Sequence, residues 1–281
     1  MAFHLVLYVV LVVLHVVTGL DNGLGLTPPM GWRSWNCYHG SIDAVKVQNT
    51  IDAITSRSRT IAGKHMSLAD IGYQHVGVDD GWQACKTGKD CSFHETDGKP
   101  LVNTSKFPDL KAMVKDGDDK GVKVGWYQIN CICCDEFIDT GNLTWKKQIY
   151  AADVRQLVDA GFHGVKLDDC GDGTGAGLLE RVAAINASGH AMLIENSNQG
   201  VGGPGAPVHN GRDNPVSADA PCPFNLFRTG GDIVPDFGVV ISKLQRTVPY
   251  LGNSSFEPIS RPGCWAYPDM VQWHAVFCSY M

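Results

Sequence analysis

Carboxylates recur along this chain at the ends of apolar, β-rich runs. Asp79 and Asp80 close one run, Asp168 and Asp169 a second and Glu195 a third, while Asp232 lies just beyond a fourth. Two carboxyl groups brought together from different strands can divide the work of breaking an acetal. One attacks carbon while the other protonates the leaving oxygen, at a separation of about 5–5.5 Å when configuration is retained. Asp168, in the run Gly164-Val-Lys-Leu-Asp-Asp-Cys170, and Asp232, in Phe227-Arg-Thr-Gly-Gly-Asp-Ile233, are the candidates for that pair. Lys166 points the same way as Asp168 by the two-residue strand period. A cation there helps keep a nucleophilic carboxylate ionised. Plainer readings stand beside these. Asp168 and Asp169 could be an acidic pair at a helix N-terminus. Asp79 and Asp80 could be a metal pair, although a hard cation wants more oxygen ligands than the chain assembles there. Trp35 could be a core aromatic. Arg228, two residues into a strand pattern, reads as an ion-pair partner.

Something must carry these acids to one place. Strand candidates are Met30–Trp32, His75–Asp80, Lys123–Gln128, Gly164–Asp169, Ala191–Glu195, Leu226–Thr229 and a weaker one before Trp265. Between them lie helical stretches, Leu110–Lys120, Trp145–Ala160 and Leu178–Asn186. In the second, Tyr150, Val154, Leu157 and Val158 make one apolar face, opposite Arg155, Gln156 and Asp159. Gly121 stands where a helix C-terminus wants it. Strands alternating with helices imply a parallel sheet with right-handed crossovers. Acids at the C-terminal ends of several strands favour a closed barrel. A doubly wound dinucleotide fold would want a Gly-rich turn after its first strand, and no GxGxxG follows one. The expected fold is therefore a (β/α)8 barrel, truncated before its eighth strand, since seven strand candidates precede a last helical stretch at Asp269–Tyr280. Ser197–Asn225, rich in Gly, Pro, Asn and Ala, reads as a long loop.

Composition is that of a globular protein, with 44% hydrophobic and 19% charged residues. A net charge of −6 and the lack of a Lys/Arg-rich run argue against a nucleic-acid partner. Leu5 to Val17 is apolar but for Tyr8 and His15, too short to span a bilayer comfortably, and Thr18 and Gly19 follow. Residues 1–19 are expected to be a signal peptide, leaving 20–281 as the catalytic domain with no membrane attachment. Ten cysteines fit no usual zinc spacing and agree with an oxidising compartment. Sequons at Asn103, Asn142, Asn186 and Asn253 add to the case for export and glycosylation. The expected location is secreted or lysosomal/vacuolar, through the secretory pathway. No metal or cofactor is expected.

Several short motifs resemble, in order, those of the glycoside hydrolase family 27 α-galactosidases and the related α-N-acetylgalactosaminidases. Leu20-Asp-Asn-Gly-Leu-Gly-Leu-Thr-Pro-Pro-Met-Gly-Trp32 is similar to the family's mature N-terminus, and Val78-Asp-Asp-Gly-Trp82 to its aspartate pair after strand two. Lys166-Leu-Asp-Asp-Cys170 is similar to the nucleophile motif, Arg228-Thr-Gly-Gly-Asp-Ile233 to the acid/base motif, and Pro268-Asp-Met270 to a motif near strand seven. The resemblance implies Asp168 as nucleophile and Asp232 as acid/base of a retaining double displacement on terminal α-galactosides. It implies Trp35 as a wall of the sugar pocket and Tyr127 and Lys166 as its floor. Asp79, Asp80, Arg228 and Asp269 would bind sugar hydroxyls, and Glu195 the region of the 2-substituent. It also implies a disulfide from Cys170 to Cys131 or Cys133. Departures are Ala266 and Tyr267 where the family has Asn-Asp, Ile194-Glu-Asn196 where it has Cys-Glu-Trp, and Gly81 where it has Cys. Other readings are a weak or inactive galactose-binding relative, an α-N-acetylgalactosaminidase or β-L-arabinopyranosidase, and an unrelated metal-dependent barrel enzyme. The partner expected is a carbohydrate, with homodimerisation left open.

Overall fold

The computed structural model describes residues 20, 22–88, 91–129, 132–133, 143–168, 177–197, 222–234, 236–252 and 258–269. Seven parallel strands follow one another across a single sheet: β1 (Met30–Arg33), β4 (Tyr73–Gly77), β5 (Lys123–Gln128), β6 (Gly164–Leu167), β7 (Leu193–Asn196), β8 (Leu226–Arg228) and β9 (Trp265–Tyr267). Among the described residues these seven strands form a curled sheet of (β/α)8-barrel type, as expected. Helices α1 (Trp35–Tyr38), α2 (Ala44–Thr55), α3 (Leu110–Asp119), α4 (Leu143–Ala160), α5 (Leu178–Ala187) and α6 (Phe237–Thr247) lie between strands. A small antiparallel hairpin, β2 (Arg59–Ile61) with β3 (Lys64–Met66), is inserted before β4.

The helices form for local reasons. Asp43, Asp109 and Asp236 each cap one, accepting from the backbone N–H of Lys46, Ala112 and Val239 at 2.9 Å. In α2, Val47, Ile51 and Ile54 fall on one face and are buried. The apolar face expected of α4 is in place: Tyr150, Val154 and Leu157 are buried and Val158 packs partly against the core. Gly121 follows α3 at φ +72°, the left-handed turn that ends a helix.

The two faces of the sheet differ in chemistry. Val76, Val124, Trp126, Val165, Leu167, Ile194 and Phe227 alternate onto one face and join the main core. The other face carries Arg33, Tyr127, Lys166, Glu195, Arg228 and Tyr267, together with Gly77, Gly125 and Gly164. That assignment follows from the two-residue period and from the register Arg33↔Gly77↔Gly125↔Gly164 and Tyr127↔Lys166↔Glu195.

Four sequence expectations change. The strand placed at His75–Asp80 runs Tyr73–Gly77, so its acids stand beyond it. The strand placed at Gly164–Asp169 ends at Leu167, which leaves Asp168 just past its tip. The strand placed before Trp265 begins there instead. Cys133 is not free to pair with Cys170, because it bonds Cys85 and ties the loop after β4 to the loop after β5. A second disulfide, Cys222–Cys264, joins the segments entering β8 and β9. Cys131, Cys170, Asp169, the segment read as the 1–19 leader, most of the Ser197–Asn225 loop and all but the first residue of the Asp269–Tyr280 stretch lie outside the described residues.

Candidate active site

The acids gather at the C-terminal ends of the strands. Asp168 follows β6, and both of its oxygens are held: Tyr127 donates its hydroxyl to Oδ2 and Ser197 donates to Oδ1, each at 2.9 Å. Its backbone N–H donates to the Gln128 carbonyl at 2.9 Å, which locks the strand tip against β5. Lys166, one strand step below, donates from Nζ to Asp79 Oδ2 at 2.9 Å and stands 3.7 Å from Asp168 Oδ2. The Lys166 ammonium also lies 5.2 Å from the centre of the Tyr127 ring. Two hydroxyl donors thus fix the orientation of the Asp168 carboxyl, with the Lys166 ammonium close by.

Asp79 is almost fully buried, with its backbone N–H donating to Ser34 Oγ at 2.9 Å. Asp80 is less enclosed. Burial pushes its carboxyl above the usual carboxylate range; hydrogen bonds from Gly81 and Gln83 oppose this and the charges of Asp79 and Asp168 add to it. Burial first, and then the Asp168 charge, push the Tyr127 phenol well up, so it stays a proton donor. The chain turns at Gly81, φ +104°, where a Cβ would lie 2.5 Å from Gly40 Cα. No side chain fits between those backbones, which is why a cysteine is not accommodated there. Lys106 Nζ clamps the same approach, donating to the carbonyls of Gly40 at 2.6 Å and Gly81 at 2.8 Å.

On the far side, Arg228 Nη1 donates to Asp232 Oδ1 at 2.6 Å and stands 3.6 Å from Asp269 Oδ1. Asp269 is buried at φ +147° and accepts from the Ile233 N–H at 2.7 Å, bracing the Asp232 loop. Burial works against the Arg228 charge, but Tyr267, Asp269, Asp168 and Asp232 together outweigh it and raise its pKa. The same guanidinium thus feels both Asp168 and Asp232. The Asp232 side chain is 73% exposed, open to water and to an incoming ligand.

Trp35 opens the short turn α1 directly after Ser34, with its ring edge-on to His39, 5.2 Å between ring centres. Glu195 lies within its strand and not at the tip. The strand continues through it to Asn196, so it sits level with Lys166 and one layer below Asp168. Arg33 donates to its Oε2 and Tyr267 to its Oε1, and the side chain is 7% exposed. Ser197, Arg33 and Tyr267 were not among the sequence candidates. The two-residue period from Glu195 points to Ser197, and Tyr267 stands where the resemblance carries an acid.

Known proteins share this arrangement of chain. A family model described as alpha galactosidase A matches residues 27–276. The chain belongs to this family, glycoside hydrolase family 27. It is 28% identical to an α-galactosidase of Oryza sativa subsp. japonica over 90% of its own length and 52% of that protein. It is 27% identical to an α-N-acetylgalactosaminidase of Mus musculus over 90% of its length and 57% of that protein. Its fold matches α-galactosidase I of Mortierella vinacea with a TM-score of 0.59, at 24% identity, covering 89% of this chain and 60% of that one. The chain therefore spans a little over half the length of the curated relatives it matches. Among the described residues, no helix of this family member is long and apolar enough to cross a membrane.

Proposed function

We propose that the protein is a retaining glycoside hydrolase that removes terminal α-linked galactose. The observation that carries this reading is the setting of Asp168, a carboxylate at a strand tip held by two hydroxyls beside Lys166. In this reading Asp168 attacks the anomeric carbon and forms a glycosyl ester. Asp232 protonates the departing glycosidic oxygen, then takes a proton from the water that releases the sugar. Exposure suits Asp232 to that exchange, and the Arg228 contact steadies its carboxyl. Asp79, Asp80, Arg228 and Asp269 bind sugar hydroxyls, Tyr127 and Lys166 form the floor, and Trp35 covers the apolar sugar face. Synthesis with a leader, export to a secreted or lysosomal/vacuolar destination and glycosylation accompany this role. Asn186, one of the sequons, is exposed at the end of α5.

The near-equal similarity to the rice α-galactosidase and the mouse α-N-acetylgalactosaminidase favours one second reading, activity on the 2-acetamido sugar. Chromogenic α-galactoside, α-N-acetylgalactosaminide and β-L-arabinopyranoside substrates, offered to the purified protein, test both. Fastest turnover of the α-galactoside is expected. Galactose binding without turnover of any of the three would replace the enzyme by a binding protein.

A further inference from the structure

Arg33 is not used by the reaction as derived above, yet it crosses the interior of the sheet. It ends β1, and the next three residues in its register are glycines, Gly77, Gly125 and Gly164 on β4, β5 and β6. A Cβ on Gly77 would lie 2.9 Å from Arg33 Nη1, so the glycine at that position is what leaves room for the side chain. Beyond that row it reaches Glu195 on β7, three strands past β4, with a cavity of about 260 Å³ against the same residues. Tyr267 on β9 takes the other oxygen of Glu195. On the near side, Arg33 Nε stands 3.9 Å from Asp79 Oδ2, the oxygen that Lys166 also holds. Arg33 is only 16% exposed at its side chain, and its charge is retained against burial by Glu195 and then Asp79.

We propose that Arg33 is a positioning residue. By sharing Asp79 with Lys166 it leaves part of the lysine's charge for Asp168, and Glu195 with Tyr267 holds Arg33 instead of touching the sugar. The argument is electrostatic. Asp79 Oδ2 faces two cations, and neither is fully neutralised by it. Without Arg33, Asp79 binds Lys166 alone, and the ammonium is drawn from Asp168, now 3.7 Å away. Among the groups facing Asp168 are Lys166 on β6, the Tyr127 hydroxyl on β5, Ser197 beyond β7, Asp80 beyond β4, and Arg228 on β8, which also feels Asp232. Drawing a cation away from a carboxyl disfavours its charged form. The inference rests on the proposed nucleophile role of Asp168.

The test compares wild type with Arg33→Lys, Arg33→Met and the double variant Arg33→Met/Glu195→Gln. The double variant removes a buried pair without stranding a charge, which keeps folding from deciding the result. Two readings are taken: the acid limb of kcat/KM against pH on a 4-nitrophenyl α-galactoside, and the titration of the Asp168 carboxyl by 13C NMR, assigned with Asp168→Asn. In the double variant, which leaves the net charge unchanged, both are expected to move up by about half a pH unit or more as the Lys166 ammonium follows Asp79 away from Asp168. kcat should fall more than KM rises, and Arg33→Lys should sit near wild type. A folded double variant with a wild-type acid limb and a wild-type Asp168 titration overturns the proposal. Absence of turnover in wild type defeats the enzymatic reading instead, and the NMR titration then still decides the role of Arg33.

Discussion

The Tyr127 hydroxyl donates to Asp168 Oδ2 at 2.9 Å, from the strand next to the one that Asp168 follows. Hydrogen bonds to charged groups contribute about 1.5–3 kcal/mol. Tyr127→Phe should therefore lower kcat by about tenfold to a hundredfold while the protein stays folded, since Ser197 and Lys166 still hold the carboxylate. Steady-state kinetics with a melting curve measure this. Unchanged kcat would mean that the phenol does not serve Asp168.

Asp168→Ala should abolish turnover of every substrate, because no covalent intermediate can form. Asp232→Ala should hurt substrates with poor leaving groups most, since an activated phenolate needs little protonation. Added azide should rescue the first variant with inversion, giving the β-galactosyl azide, and the second with retention. Polarimetry or NMR of the first-formed product reads the outcome. Inversion by the intact enzyme contradicts the assignment, as does a carboxyl separation near 6.5–9.5 Å in a ligand complex.

Asp79 and Asp80 should separate in stability but not in binding. Both Asn variants should weaken galactose binding strongly if, as proposed, each carboxylate binds sugar hydroxyls. Asp79→Asn also strips the buried partner of Lys166 and Arg33, a change that costs about 3–5 kcal/mol when one member of a buried pair is lost. Asp80, whose charged form burial disfavours, should tolerate Asn with no loss of stability. Urea unfolding and galactose titration report the two quantities. Wild-type affinity in both variants would remove these residues from the sugar site.

Gly81→Ala should destabilise by more than about 2 kcal/mol, through the left-handed backbone and the collision with Gly40. Gly23, at φ +74° with nothing within 4 Å of its would-be Cβ, is the matched control, where only the backbone term applies. Equal melting temperatures for the two alanine variants would show that the Gly40 contact contributes nothing.

His75 takes up a proton in the unfolded chain near pH 6.5, but in the fold its pKa is lowered to about 4, by burial first and then by Lys123, His163 and Arg33. Its contribution to stability is therefore complete above about pH 6.5 and declines as pH falls toward about 4. His75→Gln should flatten that part of the stability-against-pH curve. An unchanged slope between pH 6.5 and 4 would show that His75 does not couple folding to protons in this range.

The order of the seven sheet strands and of three of the helices between them was legible in the sequence because it is written locally. Period-two apolar runs ended in acids, the i, i+4, i+7 face of α4 stood out, and Gly121 marked a helix end. The Asp43 cap with Val47, Ile51 and Ile54 was the same kind of signal for α2, although it was not among the expected elements, and Asp236 marked α6 likewise. Position and resemblance alone pointed to Asp168 and Asp232 as the candidate reacting pair. What the sequence could not supply was the layer in which each side chain sits. A carboxylate at a strand tip and one a step below it look the same in a string of letters. Only the register Lys166↔Glu195 shows that Glu195 lies under Asp168, its oxygens turned to Arg33 and Tyr267. Contacts between β1, β4 and β7 depend on the curl of the sheet, which summed twist produces and no single strand encodes. For that reason tertiary structure alone decided that Gly77 leaves room for Arg33 to reach Glu195, and that Gly40 leaves no room for a side chain at Gly81.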